Sequence, residues 1–148
     1  MEEIRIDRFH PEDLNAVFRI EKSLFPIPWS KESFLEIAQN ETFSMYVARI
    51  GKKIFGYMVY QTFSPEAELH NIAVDAKMQG KGVGSQLLLF LKKNLQNQGV
   101  HRLYLLVRRS NLNAISFYKK QGFQPMGLRK DYYENKEDAW VLQWDLPH

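Results

Sequence analysis

The sequence predicts a mixed α/β fold: a central sheet of about seven strands, flanked on both faces by about four helices. Three observations carry that expectation. Stretches with the two-residue period of strands alternate with stretches of helical spacing. A helical stretch separates the strands near 66–74 and 103–107, which makes them a parallel pair joined by a crossover. With 45% hydrophobic residues, including ten Phe, seven Tyr and three Trp, the 148-residue chain can bury a core. One domain over 1–148 is expected.

Taken in order, Ile4 and Ile6 alternate with polar residues and give a short first strand. Pro11 suits a helix start, and Leu14, Val17 and Phe18 follow helical spacing, with Glu21 to Leu24 continuing the turn. Phe25-Pro-Ile-Pro-Trp29 breaks that helix, and Ser30 caps a second one running to about Gln39. Phe43 to Ile50 and Ile54 to Phe63 read as strands joined by a hairpin at Gly51-Lys52-Lys53. In the next strand Ala67 and Leu69 put the apolar face on odd positions, whereas Ile72 and Val74 put it on even ones. A β-bulge near His70-Asn71 would produce that change of parity.

The third helix begins at Val83, where Val83, Leu87, Leu91 and Leu95 recur every four positions, Leu88 widens the stripe and Gly99 ends it. Leu103, Leu105 and Val107 then alternate as a strand. Ser110 or Asn111 caps a fourth helix containing Ala114, Ile115, Phe117 and Tyr118 and ending at Gly122. Strands over about Phe123–Lys130 and Ala139–Leu146 complete the sheet.

Composition narrows the function. No apolar run is long enough to span a membrane, and the N-terminus lacks the layout of a signal peptide. There is no Cys, which excludes disulfides, thiolate metal sites and a cysteine nucleophile and fits a reducing compartment, with the cytoplasm expected. The net charge of +3 comes from basic pairs scattered among acids, a pattern of solvated faces rather than a nucleic-acid footprint. No Asp, Glu and His cluster has metal-ligand spacing, so no metal is expected.

The most informative segment is Gln79-Gly80-Lys81-Gly82-Val83-Gly84-Ser85, which connects a strand to a helix. Amide groups at a helix start have no intrahelical partner and carry partial positive charge, so they suit a phosphate-bearing ligand. Glycines permit close approach, and Lys81 adds a cation. The spacing matches neither the dinucleotide fingerprint, since position 85 is Ser, nor a Walker loop, which needs four spacer residues.

Gln79-x-x-Gly82-x-Gly84 after Asn71-Ile-Ala-Val-Asp75 resembles the acyl-CoA pyrophosphate loop of the GCN5-related N-acetyltransferase (GNAT) superfamily. Ser110-Asn111-x-x-Ala114-x-x-Phe-Tyr118-x-x-x-Gly122-Phe123 resembles that superfamily's second half, in the same order and at the same separation. Further resemblance to the RimI-like branch, bacterial N-terminal acetyltransferases of a small-subunit ribosomal protein, rests on five segments. These are Phe25-Pro-Ile-Pro-Trp29-Ser30, Asn71-Ile-Ala-Val-Asp75, Val107-Arg108-x-Ser-Asn111, Arg129-x-x-Tyr132-Tyr133 and Glu137-Asp138-Ala139.

The resemblance implies acetyl-CoA as donor and the N-terminal amine of a protein, ribosomal in kind, as acceptor. It implies that the backbone of Ile72, Ala73 and Val74 pairs with the pantetheine arm. It further implies that the loop from Gln79 through Ser85 holds the pyrophosphate, that Asn111 contacts the cofactor and that Tyr118 protonates the departing thiolate. In that branch a Glu stands just before the Val-Arg pair, whereas this chain has Leu106, which cannot take a proton. Glu68 matches by position the strand carboxylate that serves as base in histone-acetylating members and is the expected replacement, with Glu66 and His70 as alternatives.

A free α-amine, with pKa about 7.7–8, needs only a modest base, whereas a lysine amine near about 10.4 demands more. Amides released at the bulge suit the developing oxyanion. Trp29, Tyr132 and Tyr133 could wall an acceptor cleft or pack as core aromatics. Alternative readings are acylation of a small amine or lysine side chain, and an acyl-CoA-binding module without turnover.

Overall fold

The computed structural model describes residues 3–147. The strands are β1 (Ile4–Arg8), β2 (Phe43–Ile50), β3 (Lys53–Phe63), β4 (Glu66–Val74), β5 (Arg102–Arg108), β6 (Gln124–Arg129) and β7 (Ala139–Asp145). The α-helices are α1 (Leu14–Leu24), α2 (Lys31–Gln39), α3 (Val83–Asn97) and α4 (Leu112–Lys120). All seven strands form one sheet in the order β1-β2-β3-β4-β5-β7-β6. Its pairs are antiparallel except β4 with β5, the two strands joined through α3. This is the mixed sheet and helix complement expected from the sequence.

Local signals act where the sequence puts them, with small shifts. The Ser30 hydroxyl accepts the Ser33 N–H at 3.1 Å and so caps α2. Of the two candidates for the fourth helix, Asn111 is the cap, its Oδ1 accepting from the Ala114 N–H at 3.2 Å. Pro11 opens a three-residue 3₁₀ turn, and the α-helix proper begins only at Leu14. The buried Asp13 ends that turn: it accepts the His10 N–H at 2.9 Å and an Arg49 nitrogen at 2.8 Å.

Each face of the sheet carries its own core. Val83, Leu87, Leu88, Leu91 and Leu95 of α3 are fully or almost fully buried against Tyr60, Leu69, Leu103 and Leu105. Each such leucine contributes about 1.5–3 kcal/mol by leaving water. On the opposite face, Val17 and Ile20 of α1 and Phe34 of α2 pack on Val47, Tyr57, Val59 and Ala73. The parity change in β4 is now explained. Val59 pairs with Asn71 and Tyr60 with Leu69, so His70 is the extra residue of a bulge. Leu69 therefore faces the α3 core, while Asn71 and Ala73 face α1.

Among the described residues no helix is long and apolar enough to cross a membrane. Nor does any group of three or more His, Cys, Asp or Glu side chains there have the arrangement to hold a metal.

Candidate active site

β4 and β5 pair over only three positions, Glu66–Glu68 with Arg102–Tyr104. Beyond Glu68 the two strands part, and the edge of β4 from Leu69 to Val74 has no partner strand on that side. The parting opens a cavity of about 600 Å³. Its walls are the end of α1 with the 25–29 loop, the bulge of β4, residues 105–108 of β5, the start of α4 and the Tyr133-Glu134 turn.

The bulge is pinned by a carboxylate. Glu21, 2% exposed, accepts Asn71 Nδ2 at 2.7 Å, the Trp29 N–H at 2.9 Å and the Tyr57 hydroxyl. One side chain thus ties α1, the 25–29 loop and β4 together. Burial, with the Glu21 charge beside it, pushes the Tyr57 hydroxyl well above its ordinary range, so it stays a donor. Glu21 is not among the site residues expected from the sequence, although a carboxylate on the apolar stripe of Val17, Ile20 and Leu24 is a signal that it must find partners inside.

His70 and Glu68 occupy different positions relative to the cavity. His70 lines it; Glu68 does not. The two side chains are nevertheless neighbours, with His70 Nδ1 3.7 Å from Glu68 Oε2. Burial pulls the imidazole below its ordinary pKa, and the Glu68 charge opposes that. Burial, then the Glu68 carboxylate, pushes the hydroxyl of Tyr104 upward; Tyr104 is the β5 residue that pairs with Glu68. Glu66 lies farther from the parting and is ion-paired with Arg102 at 3.5 Å. Leu106 lines the cavity from β5, so that wall offers no proton acceptor at its position.

Tyr118 reaches the cavity from α4 and is 9% exposed. Burial, followed by the neighbouring Tyr133, raises its hydroxyl above the ordinary phenol range, which keeps it protonated. Trp29 and Tyr133 both line the cavity, whereas Tyr132 is 48% exposed and stands edge-on to Tyr133, outside that lining. Arg108 organises the Tyr133 side. Its guanidinium lies 4.0 Å from the Tyr133 ring centroid and bonds Glu134 at 2.5 Å and Glu137 at 3.3 Å. Burial takes the Tyr133 hydroxyl up to about 12, with Arg108 opposing. No local pattern in the sequence joins Arg108 to Glu137; their meeting across 29 residues is a product of the β5–β7 pairing.

The neighbouring glycine loop fits a phosphate-bearing group with a long arm. Gly80 and Gly82 have φ of +80° and +86°, and a Cβ at either would meet nothing within 4 Å, so the loop surface is open. Gly82 precedes α3, whose first amides, Val83 to Ser85, have no intrahelical partner. The Gln79 side chain donates to Val74 O at 3.0 Å, fastening the loop to the end of β4, and Lys81 is exposed on it. The stretch Ile72, Ala73 and Val74, which has no partner strand on the β5 side, leads from this loop to the cavity. Asn111, also in the cavity wall, uses its side chain on its own helix.

Comparison with known proteins agrees with this geometry. Residues 14–123 match the model of the Acetyltransferase (GNAT) family. The chain is 34% identical over 140 residues to the [ribosomal protein bS18]-alanine N-acetyltransferase of Escherichia coli K12, covering 93% of this chain and 94% of that protein. It is 35% identical over 133 residues to a putative [ribosomal protein bS18]-alanine N-acetyltransferase of Bacillus subtilis, covering 88% of each. The crystal structure of the Escherichia coli ribosomal-protein-S18-alanine N-acetyltransferase superposes with a TM-score of 0.90 at 32% identity, over 99% of this chain and 96% of that one. With the family model matched over residues 14–123 and this identity over nearly the whole chain, the protein belongs to the GNAT acetyltransferase family, in its RimI-like branch, and is an N-acetyltransferase that uses acetyl-CoA.

Proposed function

We propose that this chain, acting as one domain over 1–148, acetylates the N-terminal α-amine of a protein, with a ribosomal protein as the acceptor class. The observation that carries the reading is the single cavity in which the open edge of β4, Tyr118 and the Trp29 loop meet. An extended peptide terminus entering between Trp29 and Tyr133 would arrive at the place where the arm along Ile72–Val74 ends. The relatives named for bS18 alanine acetylation, alike over nearly their whole length, support the same acceptor.

In this reading the amides of Gly80 through Ser85, with Gln79 and Lys81, hold the diphosphate, and the backbone of Ile72, Ala73 and Val74 pairs with the pantetheine amides. Asn111 borders the donor. Amides freed at the bulge polarise the thioester carbonyl and hold the oxyanion. Tyr118 donates its phenolic proton to the departing thiolate. Transfer is direct, because there is no cysteine to carry an acyl intermediate. The supply of acetyl-CoA and the lack of cysteine make the cytoplasm the proposed setting.

Acetylation of a peptide library with free or blocked N-termini, read by thiol release, tests this directly. Turnover confined to free N-termini is expected. Leu106 favours one competing reading, an acceptor that brings its own proton management, such as a small amine. A strong preference for amines over peptides would establish it instead.

A further inference from the structure

We infer that the proton leaving the acceptor amine goes to His70 Nδ1, with Glu68 acting through the imidazole as a positioning residue. The inference rests on the acceptor reading above and supplies the base that Leu106 withholds. Of the three strand residues that share this face, Glu66, Glu68 and His70, only His70 lines the cavity.

A chain of hydrogen bonds fixes its tautomer. The Gln61 Nε2 donates to Thr42 Oγ1 at 3.0 Å, which turns Gln61 Oε1 toward His70 Nε2 at 2.9 Å. A carbonyl oxygen only accepts, so Nε2 carries the proton and Nδ1 keeps its lone pair. The Phe43 ring packs on the imidazole at 5.2 Å between centroids and holds its plane. Nδ1 faces the Glu68 carboxylate at 3.7 Å, too far for a direct bond but near enough to stabilise an imidazolium. The bulge matters here: the extra residue that it inserts is His70 itself.

The step balances without a further reagent. As the amine nitrogen bonds the thioester carbon, its proton passes to Nδ1 directly or through one water. The C–S bond breaks, the sulfur keeps the electron pair, and the Tyr118 proton makes the thiol. The imidazolium then returns its proton through solvent to the Tyr118 phenolate, and both groups are reset.

The titration of His70 is set first by burial, which lowers it, and then by the Glu68 carboxylate on its own strand, which raises it; Gln61 on β3 and Phe43 on β2, the other side chains packed against the ring, carry no charge. Partial burial keeps the imidazole neutral at lower pH than an ordinary histidine, so it is ready as a base near neutrality.

The test is kcat/KM against pH for a free-N-terminus peptide, in wild type, His70→Gln and Glu68→Gln, with acetyl-CoA binding measured separately by calorimetry. His70→Gln is expected to lose about 100-fold in kcat/KM and to lose the acidic limb, with acetyl-CoA affinity unchanged. Glu68→Gln is expected to keep the limb but move it to lower pH, because the carboxylate favours the imidazolium. His70→Gln within about twofold of wild type, with its limb intact, would overturn the inference. So would a limb abolished by Glu68→Gln, which would make the carboxylate the base. If His70→Gln cannot bind acetyl-CoA, Glu68→Gln decides alone, an unmoved limb counting against His70. Wild-type inactivity on every such peptide would count against the acceptor reading instead, and the series would then use whichever amine turns over.

Discussion

Glu21 Oε1 accepts a hydrogen bond from Asn71 Nδ2 at 2.7 Å, joining the last turn of α1 to the β4 bulge fifty residues later. The same carboxylate receives the Trp29 amide at 2.9 Å. A buried anion so placed makes the geometry of the cavity depend on one side chain.

Glu21→Ala should therefore destabilise the protein by about 3 kcal/mol, because hydrogen bonds to a charged group contribute about 1.5–3 kcal/mol each and the Tyr57 and Asn71 donors are left inside. Urea unfolding should show a lower midpoint at unchanged slope. Since Trp29 is released as well, KM for the peptide should rise more than KM for acetyl-CoA.

Tyr118→Phe should lower kcat and kcat/KM together by about 100-fold, the signature of a group that acts only in the transition state. Acetyl-CoA affinity should hold. Because burial raises the Tyr118 hydroxyl above the ordinary phenol value of about 10, it should impose no alkaline limb on wild-type activity below about pH 10.

Gly82→Ala tests the loop. The position has φ +86° with open space around it, so the added methyl meets no neighbour and the cost is conformational, about 1–2 kcal/mol. The loop should relax toward negative φ and turn its amides away. Calorimetry should show acetyl-CoA binding weakened about tenfold, as about 1.4 kcal/mol implies. Unchanged affinity would mean that these amides do not hold the diphosphate.

The Arg108 clamp has its own pH signature. Glu134 is held below the usual carboxylate range by its own backbone amide and then Arg108, and Glu137 by Ser110 and then Arg108. Depressed carboxyls keep their contribution above their ordinary pKa and lose it as pH falls through the lowered value. Peptide KM should thus be insensitive to this clamp down to about pH 4 and rise below it. Arg108→Ala should raise peptide KM at neutral pH and abolish the acid-induced rise.

Much of this molecule is legible along the chain because its signals are local. Ser30 and Asn111 cap helices by reaching three residues ahead. The parity change between Leu69 and Ile72 announces the bulge, since a period of two cannot switch faces without an inserted residue. The glycines at 80 and 82 mark the backbone turn that only they adopt without strain.

What the chain does not disclose is distance across elements. Spacing places Glu66, Glu68 and His70 on one strand face, yet which of them reaches the cavity depends on where β4 leaves β5, just past Glu68. Glu21 reads as one more turn of an amphipathic helix until Tyr57, Asn71 and Trp29 close around it. Sequence alone determined the elements, the bulge and the open loop, because backbone preference and side-chain period act within a few residues. Tertiary structure decided which side chains share a cavity and which carboxylate lies buried, because those depend on how far two strands diverge, a property of the whole sheet.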